Sequence, residues 1–274
     1  MNFKYLFLIG VVLILPILFI PDASAKTVTV SGNTFSDVQT AINSASSGDT
    51  VYLNNKTFYG TSSSDTIRIS AKGNIIIQGK SASEMGVLNA RSNCRIMLIG
   101  ADNTVTFKYV YFASGNSSTA TGGAIRTNSK ITLQNCNFYN NKGESGAGVC
   151  IYEEAAGSSF TNCIFTSNTG IYLGSDEWVE GGALDTHASR LTLRNCTFKS
   201  NTAISVGGAV NFANGTTGHQ VINCVFSNNN AKSGGAIRLS DFTDLIIQNS
   251  NFTNNSASEG GALNTRSIKT VIQG

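Results

Sequence analysis

Short segments in which apolar and polar residues alternate recur along the C-terminal half of the chain. The segment "RLTLRNCTF" at 190–198 places two leucines on one face with a threonine between them, and the segments at 130–138 and 244–252 alternate in the same way. A period of two residues over a short run bounded by Asn or Gly predicts a β-strand, and these segments have no helical period. The pattern therefore predicts an all-β chain of short strands and tight turns.

Two motifs repeat in step with these strands. A Phe-x-x-Asn motif alternates with a Gly-Gly-Ala-aliphatic motif. The glycine motif begins at Gly122, Gly181, Gly207, Gly234 and Gly260, with a variant at Gly146. Successive starts lie 24, 35, 26, 27 and 26 residues apart, so the interval of 35 contains an insertion. Self-similarity at this period is typical of a solenoid. Leucine-rich repeats need several leucines at fixed places, which these repeats lack, so we predict a parallel β-helix.

Equivalent residues of a parallel β-helix stack ~4.8 Å apart, so each repeated position becomes a column. Phenylalanines are expected to fill the interior. Asparagine tolerates left-handed backbone and can form a side-chain ladder, which suits a turn. The glycine pair suits a turn with positive φ or a close backbone approach. Three columns are predicted to be structural: Phe138, Phe165, Phe198, Phe226 and Phe252; Asn135, Asn162, Asn195, Asn223 and Asn249; and Cys136, Cys163, Cys196 and Cys224.

The cysteine column allows three interpretations: buried free thiols, disulfides between neighbouring coils, or a metal site. A spacing of ~4.8 Å lies within the range of a disulfide, and export would permit one, but nearly parallel Cβ directions are poor bridging geometry. Ser250 occupies the position in the next coil, so a small side chain suffices there. We predict a ladder of free thiols. Cys150 lies outside the column and is expected to face outward, and His219 is expected at the surface.

The N-terminal region predicts a cap for the solenoid. Ser36 can cap a short helix whose apolar residues share one face, and a strand follows at Thr50–Leu53. Those apolar residues are Val38, Ala41, Ile42 and Ala45. A helix before the first strand would cover the open end of the interior, as terminal caps do. We assign 34–60 to the cap and first strand.

The first 25 residues have the layout of a secretory signal peptide. Lys4 precedes a fifteen-residue apolar run, Leu6–Ile20, and Ala23–Ala25 is a small-residue cleavage site. The run is shorter than the ~20 residues that span a bilayer, so we expect cleavage before Lys26, a secreted or cell-surface protein, and no transmembrane helix in the mature chain.

Residues 26–274 are then predicted to form one β-helix, with less regular coils at 61–115 and tandem coils at 116–274. The last coil lacks a capping segment. We therefore expect the chain to be truncated, with further C-terminal modules or an anchor beyond it.

Composition removes several functional classes. The net charge of +3 is small and unclustered, so no nucleic-acid partner is expected. The six cysteines include no C-x-x-C pair, and no phosphate-binding loop or nucleophile motif occurs. We therefore assign no cofactor, no metal ligand and no catalytic residue.

The repeats resemble those of the chlamydial polymorphic outer membrane proteins and, more closely, of the adhesin-like surface proteins of methanogenic archaea. The opening at 34–60, with "GDTVYL" and "FYG", is similar to that of many pectate-lyase-like β-helices. The resemblance covers 34–274 and implies a right-handed parallel β-helix displayed at the cell surface with a role in adhesion. The chlamydial proteins end in a membrane-embedded barrel that has no counterpart in this sequence.

Acidic residues concentrate near the insertion, which in a solenoid forms a loop that is often on the binding face. Alignment on the glycine motif places Asp185 and His187 two residues apart on one face, beside Tyr152. A solvated polar face, a patch that binds carbohydrate or a protein partner, and a catalytic centre are the possible interpretations. The candidate patch comprises Glu153, Glu154, Asp176, Glu177, Trp178, Glu180, Asp185 and His187.

Two functions follow from these interpretations. The first is a non-catalytic, adhesin-like module that binds carbohydrate or another cell surface. The second is a polysaccharide lyase or glycoside hydrolase of the pectate-lyase-like β-helix class, which needs several carboxylates around Ca²⁺ or two carboxylates at working distance. Few acids and regular repeats favour the first, so we predict that the chain is not an enzyme.

Overall fold

The computed structural model describes residues 24–117, 121–172, 179–267 and 269–274. Nearly all of the predicted signal peptide lies outside these ranges. Within them the chain winds into a parallel β-solenoid of about nine turns with one α-helix near the N-terminus. The predicted fold class is thereby confirmed. None of the helices in these ranges is both long and apolar enough to cross a membrane.

The elements follow one another as short strands, with one helix, α1, at Phe35–Ser44. In chain order the strands are β1 (Thr27–Thr29), β2 (Thr50–Asn54), β3 (Thr57–Tyr59), β4 (Ile67–Ile69), β5 (Gly73–Gly79), β6 (Gly86–Asn89), β7 (Met97–Ile99), β8 (Asn103–Lys108), β9 (Val110–Ala113), β10 (Ile125–Thr127), β11 (Lys130–Gln134), β12 (Asn137–Tyr139), β13 (Lys142–Gly143), β14 (Val149–Ile151), β15 (Ser159–Thr161), β16 (Ile164–Thr166), β17 (Thr169–Gly170), β18 (Leu184–Thr186), β19 (Thr192–Arg194), β20 (Thr197–Lys199), β21 (Val210–Phe212), β22 (His219–Ile222), β23 (Val225–Ser227), β24 (Ile237–Leu239), β25 (Asp244–Gln248), β26 (Asn251–Thr253), β27 (Leu263–Thr265) and β28 (Lys269–Gln273).

Three parallel sheets form the walls of the solenoid, and each strand pairs with its equivalent one coil away. Sheet A has the order β1-β2-β5-β8-β11-β15-β19-β22-β25-β28. Sheet B has the order β3-β6-β9-β12-β16-β20-β23-β26, and sheet C the order β4-β7-β10-β14-β18-β21-β24-β27. Strands β13 and β17 form a separate pair.

The interior is filled by columns of apolar side chains. From Phe112 to Phe252 the phenylalanine rings of sheet B stack in parallel, with centroids 4.5 to 4.8 Å apart. The two glycines of the motif have different roles: the first adopts positive φ, and the second leaves room for the backbone of the next coil. Gly207 has a φ of 63°, and a Cβ on Gly208 would collide with the carbonyl oxygen of Gly235 in the next coil.

Two asparagine ladders run along the solenoid. The predicted turn column has positive φ throughout, and its exposed amides are linked at 3.2 Å, as in the bond from Asn195 Nδ2 to Asn162 Oδ1. The second ladder is the Asn of the Phe-x-x-Asn motif. Asn201 is fully buried, and its Nδ2 donates to Asn229 Oδ1 and to the Phe165 carbonyl, both at 3.0 Å.

The cysteine column points into the core, and all six cysteines are buried free thiols. Cys196 Sγ lies 3.3 Å from the Arg194 carbonyl oxygen. Cys150 lies outside the cysteine column and faces outward from sheet C, as expected. Its side chain is nevertheless fully buried, because Arg126 and Asp185 flank it in register.

His219 is also buried, contrary to expectation. Strand β22 begins at His219, whose side chain shares the inward face with Val221. Its Nδ1 accepts a hydrogen bond from the Leu191 N–H at 3.2 Å, and its ring lies 4.6 Å from that of Phe212. Burial lowers the pKa of His219 to about 4.

The N-terminal helix begins two residues earlier than predicted. Thr34, not Ser36, is the N-cap, and Thr34 and Asp37 form a capping box in which each side chain accepts from the other's backbone N–H. The inward face includes Phe35 as well as the predicted Val38, Ala41 and Ile42, and the helix packs against the first coil. Ala45, predicted on the same face, is buried but is the C-cap just after the helix.

Candidate functional site

The outer face of sheet C carries a column of unlike side chains. Parallel register places the central residues of β10, β14, β18, β21 and β24 one above another. These residues are Arg126, Cys150, Asp185, Asn211 and Arg238. Because each lies at the middle of a short strand whose neighbours point inward, all five side chains leave the solenoid on the same side.

A carboxylate–imidazole pair lies at the centre of this column. Asp185 is fully buried, and its Oδ2 lies 3.0 Å from His187 Nε2. Asn211 Nδ2 donates to Asp185 Oδ1 at 2.9 Å and to Glu180 Oε2 at 3.2 Å. Ligand-type atoms of Glu180, Asp185 and His187 all lie within 4.8 Å of one another. We call Tyr152, Glu180, Asp185, His187 and Asn211 the outer-face site.

The charges of this site influence one another. Burial and the Asp185 carboxylate raise the pKa of Glu180 to about 7. The hydrogen bond to Asp185 raises the pKa of His187 to about 9 and outweighs the opposite effect of burial. At neutral pH the imidazole is therefore protonated and pairs with a buried carboxylate.

Aromatic and cationic groups form the rim. The Tyr152 ring stacks on that of His187 with centroids 5.8 Å apart, and the Arg126 guanidinium lies 4.7 Å from the Tyr152 centroid. The His187 side chain is 39% exposed, so its ring edge can reach a ligand. Arg126 Nε is buried and has no hydrogen-bond partner among the described residues.

Shallow cavities continue the face in both directions along the solenoid. One, of about 240 Å³, is lined by Arg68, Arg126 and Asn128, among others. The other, of about 280 Å³, is lined by residues that include Arg238 and Arg266. Arginines therefore lie on both sides of the acidic centre.

The structure brings together only some of the predicted patch residues. Glu180, Asp185 and His187 meet. Glu153 and Glu154 are exposed on a 3₁₀ turn, Glu153–Ala155, where Glu154 Oε2 accepts from Asn128 Nδ2 at 3.1 Å. Asp176, Glu177 and Trp178 lie outside the described residues.

Sequence reasoning did not assign Asn211 or Arg126 to the site. Both residues follow a Gly-Gly-Ala-aliphatic motif at the same spacing as Asp185, so alignment on that motif places them in one column and the signal is present in the sequence. It also assigned no metal ligands, whereas three side chains of ligand type converge within the described part of the chain.

Two solved structures are similar in fold. An alginate lyase from Paenibacillus sp. str. FPU-7 matches with a TM-score of 0.48 and 19% identity over 84% of this chain and 77% of the lyase. ORF18 of Geobacillus virus E2 matches with a TM-score of 0.46 and 14% identity over 90% of this chain and 61% of that protein. None of the curated proteins matches the chain.

The prediction that the chain is not an enzyme is corrected. It treated a β-helix of regular repeats as purely architectural, and the alginate lyase that the chain matches is an enzyme. It also rested on the small number of acidic residues in the chain. Asp185 lies in a regular strand and meets Glu180 and His187.

The repeats also match a family model that is defined by its fold. The model describes a right-handed β-helix region and matches residues 17–179 and 96–272, which together span most of the sequence. The parallel sheets, the stacked interior columns and this match agree, and the chain belongs to the right-handed β-helix family.

Proposed function

We propose that the chain is an enzyme that cleaves an acidic polysaccharide by β-elimination at the outer-face site. The observation that carries the proposal is the contact between a buried carboxylate, Asp185, the half-exposed His187 and the Tyr152 ring stacked on it. Two side chains with acid–base chemistry thus lie side by side at the surface. The fully buried carboxylate fixes the orientation of the imidazole.

Elimination suits this pair. A base removes the proton on the carbon next to the sugar carboxylate, and the electron pair forms a carbon–carbon double bond. The glycosidic carbon–oxygen bond breaks, and an acid protonates the leaving oxygen. Tyr152 and His187 would supply the base and the acid of this step, because their rings lie side by side at the surface. No water is consumed.

Hydrolysis is less well supported by the geometry. It requires two carboxyl groups that both reach the scissile bond, one as the acid and one as the base or nucleophile. Asp185 has no exposed surface, and Asn211 holds its second oxygen. Of the two carboxylates in the site, only Glu180 is partly exposed.

The flanking arginines favour a polyanionic substrate. Arg126 and Arg238 lie in the same column, on opposite sides of Asp185. Four coil steps separate them, which corresponds to about 19 Å at ~4.8 Å per coil. A chain of uronate sugars laid along the solenoid would therefore meet cations on both sides of the cleavage point. Since such polymers are extracellular, we also propose that residues 1–25 direct export.

The proposal is tested by incubating the purified chain with alginate, polygalacturonate and a neutral glucan. We expect ultraviolet-absorbing unsaturated ends from an acidic polymer only. His187→Ala and Tyr152→Phe should each slow release by about 10²-fold or more. Tyr139→Phe is the matched control, because Tyr139 is exposed on sheet B.

Three outcomes would contradict elimination: no product from either acidic polymer, reducing ends without unsaturation, or unchanged turnover in both site variants. Reducing ends alone would indicate hydrolysis. Binding to the polymer without turnover would instead support an adhesin-like surface role.

A further inference from the structure

We infer that Glu180, Asp185 and His187 bind a divalent transition-metal ion, with the amide oxygen of Asn211 as a further ligand. The inference concerns binding alone, and a bound ion would compete with the acid–base role proposed above for His187. Each of the three side chains offers one ligand atom, and these atoms all lie within 4.8 Å of one another.

The distances leave room for such an ion. Zinc-like ions bind imidazole nitrogen and carboxylate oxygen at ~2.0–2.2 Å, so their ligand atoms lie roughly 3–4 Å from each other. His187 Nε2 and Asp185 Oδ2 are already 3.0 Å apart. The ion would take the place of the proton between these two atoms and release that proton to solvent.

Asn211 supplies an independent observation. It is fully buried, and its amide end lies inside the group, with Nδ2 donating to both carboxylates. Its Oδ1 is buried and has no hydrogen-bond partner among the described residues. Buried polar atoms of this kind are rare and call for an explanation.

A rotation about the last side-chain torsion of Asn211 exchanges Oδ1 and Nδ2. With no cation present, this would turn a carbonyl oxygen toward two carboxylates and would be repulsive. With a cation between them, the same rotation adds an oxygen ligand and gives Oδ1 a partner, while Nδ2 moves to the buried position that Oδ1 now holds.

The donor set points to the class of metal. One imidazole with two carboxylates suits zinc, manganese or iron, whereas calcium and magnesium prefer all-oxygen sites. The chain positions the ligands firmly, because Asp185 lies within β18 and the Glu180 backbone bridges to Val206 in the next coil. The partial exposure of His187 leaves one side of the ion open to solvent or a ligand.

The test is calorimetric titration of the metal-free full chain with Zn²⁺ and Co²⁺, and with Ca²⁺ as the competing hard ion. We expect one ion per chain, together with visible Co²⁺ absorption bands. Glu180→Gln and His187→Asn should each weaken Zn²⁺ binding by at least about tenfold. Glu259→Gln is the matched control, since Glu259 occupies the equivalent position three coils away and is exposed.

A second measurement does not depend on variants. The chain has two histidines, and His219 is buried in the core as an internal reference. Long-range ¹H–¹⁵N spectra should show the His187 ring signals moving on addition of Zn²⁺ while those of His219 stay in place. The inference is overturned if neither histidine responds, or if the Glu180 and His187 variants bind Zn²⁺ as tightly as the parent chain. Tighter binding of Ca²⁺ than of Zn²⁺ would also overturn it.

Discussion

The buried asparagine ladder should contribute more to stability than the exposed one, although the two repeat equally often. The perturbation that tests this is Asn201→Ala. The Asn201 side chain takes part in four hydrogen bonds of about 3.0 Å. Its Oδ1 accepts from the backbone and side chain of Asn168, and its Nδ2 donates to Asn229 Oδ1 and to the Phe165 carbonyl.

The magnitude follows from that geometry. Each net hydrogen bond contributes about 1 kcal/mol, and a donor or acceptor left unsatisfied in the core costs about 1–3 kcal/mol. Alanine cannot replace any of the four bonds, and Asn201 has no exposed surface through which water could enter. We therefore expect Asn201→Ala to lower the free energy of unfolding by about 4 kcal/mol. That is a large part of the ~5–15 kcal/mol typical of a domain.

Asn195 provides the matched control. It lies six residues earlier in the same coil and belongs to the exposed ladder, with two side-chain bonds of 3.2 Å and a φ of 53°. Solvent can replace both bonds, so the left-handed backbone sets the cost. Asn195→Ala should cost about 1–2 kcal/mol, and Asn195→Gly less than about 1 kcal/mol, because glycine adopts positive φ freely.

Guanidinium unfolding followed by far-ultraviolet circular dichroism measures these differences. Solenoids can unfold in stages, so the slopes of the three variants must agree before their midpoints are compared. A loss of about 1 kcal/mol or less in Asn201→Ala would refute the reasoning, as would equal losses in Asn201→Ala and Asn195→Ala.

Three further predictions concern the core. Since burial lowers the pKa of His219 from 6.5 to about 4, the folded state resists protonation. The stability from this neutral ring is present above pH 6.5 and is lost as the pH falls toward 4, by about 3 kcal/mol in all. Glu180, whose pKa is raised from 4.5 to about 7, gives the opposite slope in the same window, so the test is the difference in unfolding free energy between the parent chain and His219→Gln, which should change by about 3 kcal/mol from pH 7 to 4. Cys224→Ser should change the free energy of unfolding by less than about 1 kcal/mol, because Ser250 Oγ already donates to the equivalent carbonyl at 2.9 Å, and mass spectrometry should find no mass gain on reduction. Phe165→Ala should cost about 3–5 kcal/mol by chemical denaturation, since its ring stacks on both neighbours at 4.5 and 4.8 Å.

The architecture was predictable because the same sequence repeat occurs several times along the chain. Period-two alternation and an interval near 26 residues were enough to predict a parallel β-helix. Periodicity also identified the helix face, since Val38, Ala41 and Ile42 are buried as expected. The N-cap was missed because Ser36 and Thr34 are both residues that can cap a helix. Only the Asp37 side chain, which accepts a hydrogen bond from the Thr34 N–H, identifies Thr34 as the N-cap.

Exposure was predicted less well than register. The sequence predicted that Cys150 faces outward, which it does in the column of Asp185. It could not show that the Arg126 and Asp185 side chains in the neighbouring coils would cover the small thiol. His219 was expected at the surface because Gly215 and Gly218 just before it are typical of a turn. Those glycines end the turn at residue 218, and the strand that follows carries His219 inward.

Columns that repeat and columns that vary have different physical roles in this solenoid. In the phenylalanine and asparagine columns, one side chain recurs because stacking on its own copy is favourable. In the outer column of sheet C, an arginine, a thiol, a carboxylate, an amide and a second arginine follow one another, and stacking of identical groups cannot explain that order. Unlike side chains held ~4.8 Å apart on a rigid frame are what a binding or reacting site requires. The position of the outer-face site could therefore be found from the one column in which the residue type changes from coil to coil. Its chemistry depends on contacts that form only in the folded chain, such as those of Asp185 with His187 and Asn211.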